Sequence, residues 1–117
     1  MISSFYDDPV GIPVESLPNI FRADLAQHLR ATYQISLRGT GGGDWTVRID
    51  QGKCEVRSGK APDADVVIAT DVETWHAVTS GVLDGESAYY SGRVTISGDL
   101  YTAQHFASLF RFKPPMS

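Results

Sequence analysis

Between Tyr33 and Ala69 the chain alternates apolar and polar residues four times over, and that alternation leaves few folds open. Tyr33, Ile35 and Leu37 alternate with Gln34, Ser36 and Arg38, and Trp45, Val47 and Ile49 with Thr46, Arg48 and Asp50. Cys54 and Val56 alternate with Glu55 and Arg57, while Val66 and Ile68 share one face with Val67 and Ala69 opposite. Successive side chains of a strand point to opposite faces, so each segment predicts a strand with one wet and one dry face. Gly39-Thr40-Gly41-Gly42-Gly43-Asp44 and Gln51-Gly52-Lys53 read as hairpin loops between the first three. A sheet dry on one side needs a cover, and the rest of the chain has to provide it.

That cover is legible as helical spacing. Ser16 predicts the cap of a first helix with Pro18 in its first turn, and Leu17, Phe21, Leu25 and Leu29 then fall four apart as one stripe. Asp24 equally predicts the restart of a second short helix, and the spacing does not choose between the two. Asp71 predicts the cap of a helix through Val72–Val78 stopped at Gly81. A fifth strand, Arg93–Ser97, is bracketed by Gly92 and Gly98. It leads through Asp99 into a final helix with Tyr101, Phe106, Leu109 and Phe110 at helical spacing. The expected order is α-β-β-β-β-α-β-α, an α/β (α+β) fold. Residues 1–12 read as an arm, 13–112 as the domain and 113–117 as a tail.

The totals exclude several classes of function. A chain of 117 residues suits one domain, large enough to bury roughly two-thirds of its unfolded surface around a core and a modest cavity. A net charge of −4 argues against a phosphate-backbone binder and against electrostatic docking on anionic membranes, leaving at most transient membrane contact. Nucleic acid is therefore not an expected partner. The single cysteine, Cys54, cannot form an intramolecular disulfide, which points to a reducing compartment, and cytoplasm is the simplest address.

Chemistry-bearing residues are scattered. His28, His76 and His105 never fall three or four apart and lie far from Cys54, so metal spacing is absent, and no cofactor is expected. Cys54 sits on the dry side of its strand without a nearby base and reads as a small core residue. The glycine cluster at 39–43 lacks the Lys-Ser/Thr of a phosphate loop. Asp71 and Asp99 read as caps. With no acid–base or nucleophile pair to nominate, no enzyme activity is expected.

Several of these features together resemble the sterol carrier protein-2 family of lipid-binding domains. They are Trp45 opening a strand, the Gly52 turn, Gly59 at a strand end, Asp-Val-Val-Ile at 65–68, and the Asp-led helix ending at Gly81. The pattern G-x-x-x-I-x-G-D at 92–99 and the aromatic final helix complete the set. The resemblance spans roughly residues 14–112. It implies a twisted five-stranded sheet with helices packed on one face. It also implies a cavity between the two layers that holds a sterol, fatty acyl chain or phospholipid, without catalytic residues. Some family members are fused to enzymes, so a partner enzyme or a homodimer is compatible with it.

On that reading the cavity-lining residues are Trp45, Val47, Ile68, Trp75, Val78, Tyr89, Ile96, Tyr101, Phe106, Leu109 and Phe110, with the final helix as wall or lid. The competing reading is a non-catalytic interaction module whose apolar face is filled by its own side chains. A dry void of several hundred Å³ between the layers favours the carrier, and a core packed to native density favours the module.

Overall fold

The computed structural model describes residues 11–112; most of the expected arm and all of the expected tail lie outside them. Five strands form one sheet: β1 (Arg30–Arg38), β2 (Gly43–Asp50), β3 (Lys53–Ser58), β4 (Val66–Asp71) and β5 (Thr95–Gly98), in the order β3-β2-β1-β4-β5. All pairs are antiparallel except β1 with β4. The registers align the alternating residues. Tyr33 lies between Val47 and Val66, and Ile35 between Trp45 and Ile68, with Ile96 beyond. One apolar face results, because a slip of a single residue would turn every one of these side chains to the other side.

The β2–β3 hairpin closes through Gln51 and Gly52, both left-handed (φ 48° and 79°), the combination that matches the right-handed twist of paired strands. Gly98 answers a different demand. Its φ is +107°, and a Cβ there would run into the Asp65 carbonyl. The β3–β4 connection crosses the polar face of the sheet. There Ala61 N–H donates to Gln34 Oε1 (3.1 Å) and Thr46 Oγ1 to the Gly59 carbonyl (2.9 Å). This crossing buries Thr46 on the side that alternation alone marks as wet.

The dry face is covered by α1 (Val72–Thr79), by α3 (Leu100–Phe106) and by the chain on either side of the sheet, which share one apolar cluster with it. Asp71 caps α1 by accepting from Thr74 N–H (2.7 Å), which holds its carboxyl below the usual carboxylate range. Asp99 caps α3, accepting from Thr102 Oγ1 (2.8 Å) and Tyr101 N–H (3.1 Å). A short helix not foreseen in the sequence, α2 (Gly85–Tyr90), starts at Asp84, whose side chain accepts from Ser87 N–H.

Two helical expectations are corrected. Residues 14–20 and 23–25 are 3₁₀-helical rather than α-helical. The first begins at Val14, so Pro18 falls inside it, where its missing N–H and its ring oppose an α-turn. The expected stripe therefore splits: Leu17 is fully buried, and Leu25 is half exposed. At the other end α3 stops at Phe106, a 3₁₀ turn covers 107–109, and Phe110 is extended and bridges to Phe21. Phe110 therefore does not share a helical face with Phe106.

Candidate functional site

Aromatic rings occupy the layer between sheet and helices. Tyr33 is fully buried in β1, and its hydroxyl donates to the Thr102 carbonyl of α3 (2.8 Å). Burial, with the charges of Asp65 and Asp99 behind it, pushes the phenol up to about 12, so it remains a donor at neutral pH. The Phe106 ring stands edge-on to Tyr33 with centroids 4.9 Å apart and lies 5.0 Å from Phe110. Phe112 lies 5.6 Å from Phe110 and meets Trp75 edge-on at 6.5 Å. Centroid spacings of 4.5–7 Å are those of rings in contact. These rings, in contact with one another, stand in the layer where the sequence predicts a cavity.

An open groove lies beside that layer. Its volume is about 310 Å³, and Leu25, Leu29, Tyr101 and Leu109 line it, with Asp24, Gln27, His28 and His105 around them. Leu109 and Leu29 also belong to the apolar cluster, so these two residues separate the groove from the core. A second hollow of about 560 Å³ lies on the far side of residues 27–29, lined by Gln27, His28, Leu29, Arg30, Asp50 and Gln51.

The segment between the hollows is held from both sides. Arg22 N–H donates to the Leu109 carbonyl (2.7 Å), and Arg111 N–H to the Ile20 carbonyl (2.8 Å). Gln51 N–H donates to the Leu29 carbonyl (3.3 Å), and Gly52 N–H to the Ala26 carbonyl (3.1 Å). The walls are therefore tied by backbone bonds to the final segment and to the β2–β3 turn.

Of the residues that the sequence nominates for the cavity, the groove brings together two, Tyr101 and Leu109. Trp45, Val47 and Ile68 are buried on the dry face, and Ile96 is half-buried on the edge strand. Trp75 is buried in α1 and donates through its indole N–H to the Ile12 carbonyl (2.6 Å). Val78 is half-buried on the same helix. Phe106 and Phe110 are buried in the aromatic layer. Tyr89 is exposed on α2, its ring against Tyr90, and Tyr101 is 71% exposed at the groove's rim. Leu25, Leu29, His28 and His105 line the groove without having been nominated. No local signal marks them, because residues 24–29 meet α3 only in the folded chain.

Cys54 is half-buried against the core, and burial pushes its thiol up to about 11, far from the low value of a reactive thiolate. The described residues contain no group of three or more His, Cys, Asp or Glu placed to hold a metal. No helix among them is long and apolar enough to cross a membrane.

A five-stranded mixed sheet with helices over one apolar face, and an open groove at the edge of that cover, defines an α+β domain. The chain belongs to the SCP-2 sterol transfer family, whose profile matches residues 18–111. It is similar to the peroxisomal multifunctional enzyme type 2 of Mus musculus, with 31% identity over 80 residues, 68% of this chain but 11% of that enzyme. Among solved structures, palmitated SCP2L2 from Aedes aegypti superposes with a TM-score of 0.65 at 22% identity, covering 91% of this chain and all of that one. The sec-alkylsulfatase Pisa1 from Pseudomonas sp. superposes with a TM-score of 0.71 at 23% identity, over 86% of this chain and 16% of the sulfatase. At these identities the likeness to the two structures is one of fold.

Proposed function

We propose that this chain binds and carries a hydrophobic ligand bearing an acyl chain, and that the ligand enters at the groove beside α3. The observation that carries the reading is the groove itself, an apolar trough with Leu29 and Leu109 between it and the core. At about 310 Å³ it lies at the small end of ligand sites, roughly 300–1,000 Å³. A long tail must therefore continue inward past Leu109, with α3 yielding to admit it. That helix is seven residues long, its first residues are exposed, and Phe106, Ala103 and the Tyr33–Thr102 bond tie it to the sheet and core. Family membership and the palmitated state of the Aedes relative support an acyl ligand.

The role is non-catalytic, supported by the protonated, half-buried Cys54, whose thiol lines neither hollow. A reducing, cytoplasmic setting and a partner enzyme complete the reading. The mouse relative's name as a multifunctional enzyme supports such a partner. One observation favours the second reading, an interaction module: the aromatic rings between sheet and helices touch one another. Mass spectrometry of organic extracts from the purified protein separates the two. A stoichiometric co-purifying lipid supports carriage, whereas protein that remains lipid-free after incubation with a lipid mixture supports the module.

A further inference from the structure

Resting on the carrier reading, we propose that the hollow beyond residues 27–29 seats the polar head of the ligand, and that this head is zwitterionic. The two hollows share Gln27, His28 and Leu29 as a common ridge, one apolar on its far side and the other polar. A single amphiphile lying across that ridge places its tail along Leu25 and Leu109 and its head beside Arg30 and Asp50.

The charges select among heads. Arg30 and Asp50 are cross-strand partners with Nε and Oδ1 3.6 Å apart, and both side chains are more than half exposed. Gln27 and Gln51 add amide donors and acceptors beside them. A purely anionic head gains the guanidinium but is opposed by the carboxylate, and a cationic head meets the reverse. A head carrying both charges engages Arg30 through its anion and Asp50 through its cation. It replaces one exposed ion pair by two and leaves no like charges facing. The Gln51–Leu29 and Gly52–Ala26 backbone bonds hold this geometry before any ligand arrives, which lowers the ordering cost of binding.

Calorimetric titration of the full chain with two sixteen-carbon ligands below their micellar concentrations tests the assignment: lysophosphatidylcholine and palmitate. Exposed ion pairs favour the zwitterion by a few-fold, about five-fold at low salt, and the preference narrows as salt screens it. Asp50→Asn removes the group that opposes an anion and holds a cation, so it weakens lysophosphatidylcholine, strengthens palmitate and closes the gap. Arg30→Gln weakens both ligands. Circular dichroism melting confirms that both surface variants fold. Tighter binding of palmitate by the unmodified chain, or an Asp50→Asn variant that moves both ligands alike, overturns the headgroup assignment and leaves the carrier reading standing. Absence of saturable binding by either ligand overturns both.

Discussion

Replacing Phe106 by Ala tests whether the layer between sheet and helices is packed or open. The side chain is 7% exposed, meets Tyr33 at 4.9 Å and Phe110 at 5.0 Å, and has Phe112 at 6.3 Å. Deleting a ring from such a site removes its transfer free energy and leaves a cavity that neighbours fill only in part. The cost is about 3–5 kcal/mol, and the ring contacts place this residue in the upper half of that range. For a domain of this size the melting temperature should fall by about 15 °C or more. Urea unfolding gives the same quantity from the shift in midpoint at constant slope. A cycle with Phe110→Leu should add a coupling of about 0.5–1.5 kcal/mol, because the rings touch. A loss below about 1.5 kcal/mol without coupling would refute the packed layer and restore an open cavity to this position.

Other consequences are as direct. Leu109→Ala should cost about 2–5 kcal/mol and at the same time tighten binding of a long acyl chain, since the residue stands between groove and core; calorimetry on the folded variant checks this. Tyr33 and Cys54 hold their protons more tightly folded than unfolded, so stability is full below about pH 9 and falls as the unfolded chain ionises. The Cys54 contribution is lost from 9.0 to about 11 and that of Tyr33 from 10.0 to about 12, each up to about 3 kcal/mol, as urea midpoints across pH 8–11 should register. Cys54→Ala should remove the earlier part of that decline. Cys54→Ser should leave ligand affinity within about two-fold of the unmodified chain, the thiol being half-buried against the core with no role in the groove; a titration decides it.

The sheet is legible in the sequence because a strand's period of two needs only its own residues, and Tyr33, Ile35, Val47 and Ile68 obey it wherever their partners lie. The caps at Asp71 and Asp99 are equally local, each closing on residues two or three positions ahead. Long-range features escape such patterns. Thr46 is buried by a connection that only the β3-β2-β1-β4 order sends across it. Spacing of four along Leu17, Phe21, Leu25 and Leu29 suggests an α-helix, but Pro18 and the Phe21–Phe110 bridge impose another path. The aromatic crowding near the C-terminus shows rings without showing which side they face: Phe106 fills the core, while Tyr89 meets Tyr90 on the outside. The groove is assembled from residues 24–29 and 101–109, and no spacing within either segment marks the other.

The central claim, carriage of an acyl ligand, is tested most directly by titrating a fluorescent sixteen-carbon fatty acid into the protein at low and high ionic strength. Burying the whole tail gains about 12 kcal/mol at about 0.8 per methylene, and lost ligand freedom and the opening of α3 offset roughly half of that. The remainder, about 6–8 kcal/mol, corresponds to a dissociation constant of about 1–40 μM. A buried tail is not screened, so the dominant part of that affinity should persist between the two salt concentrations. Saturable binding of one probe per chain in this range is the predicted result. No saturation by several hundred micromolar, or an affinity that vanishes with added salt, would contradict it.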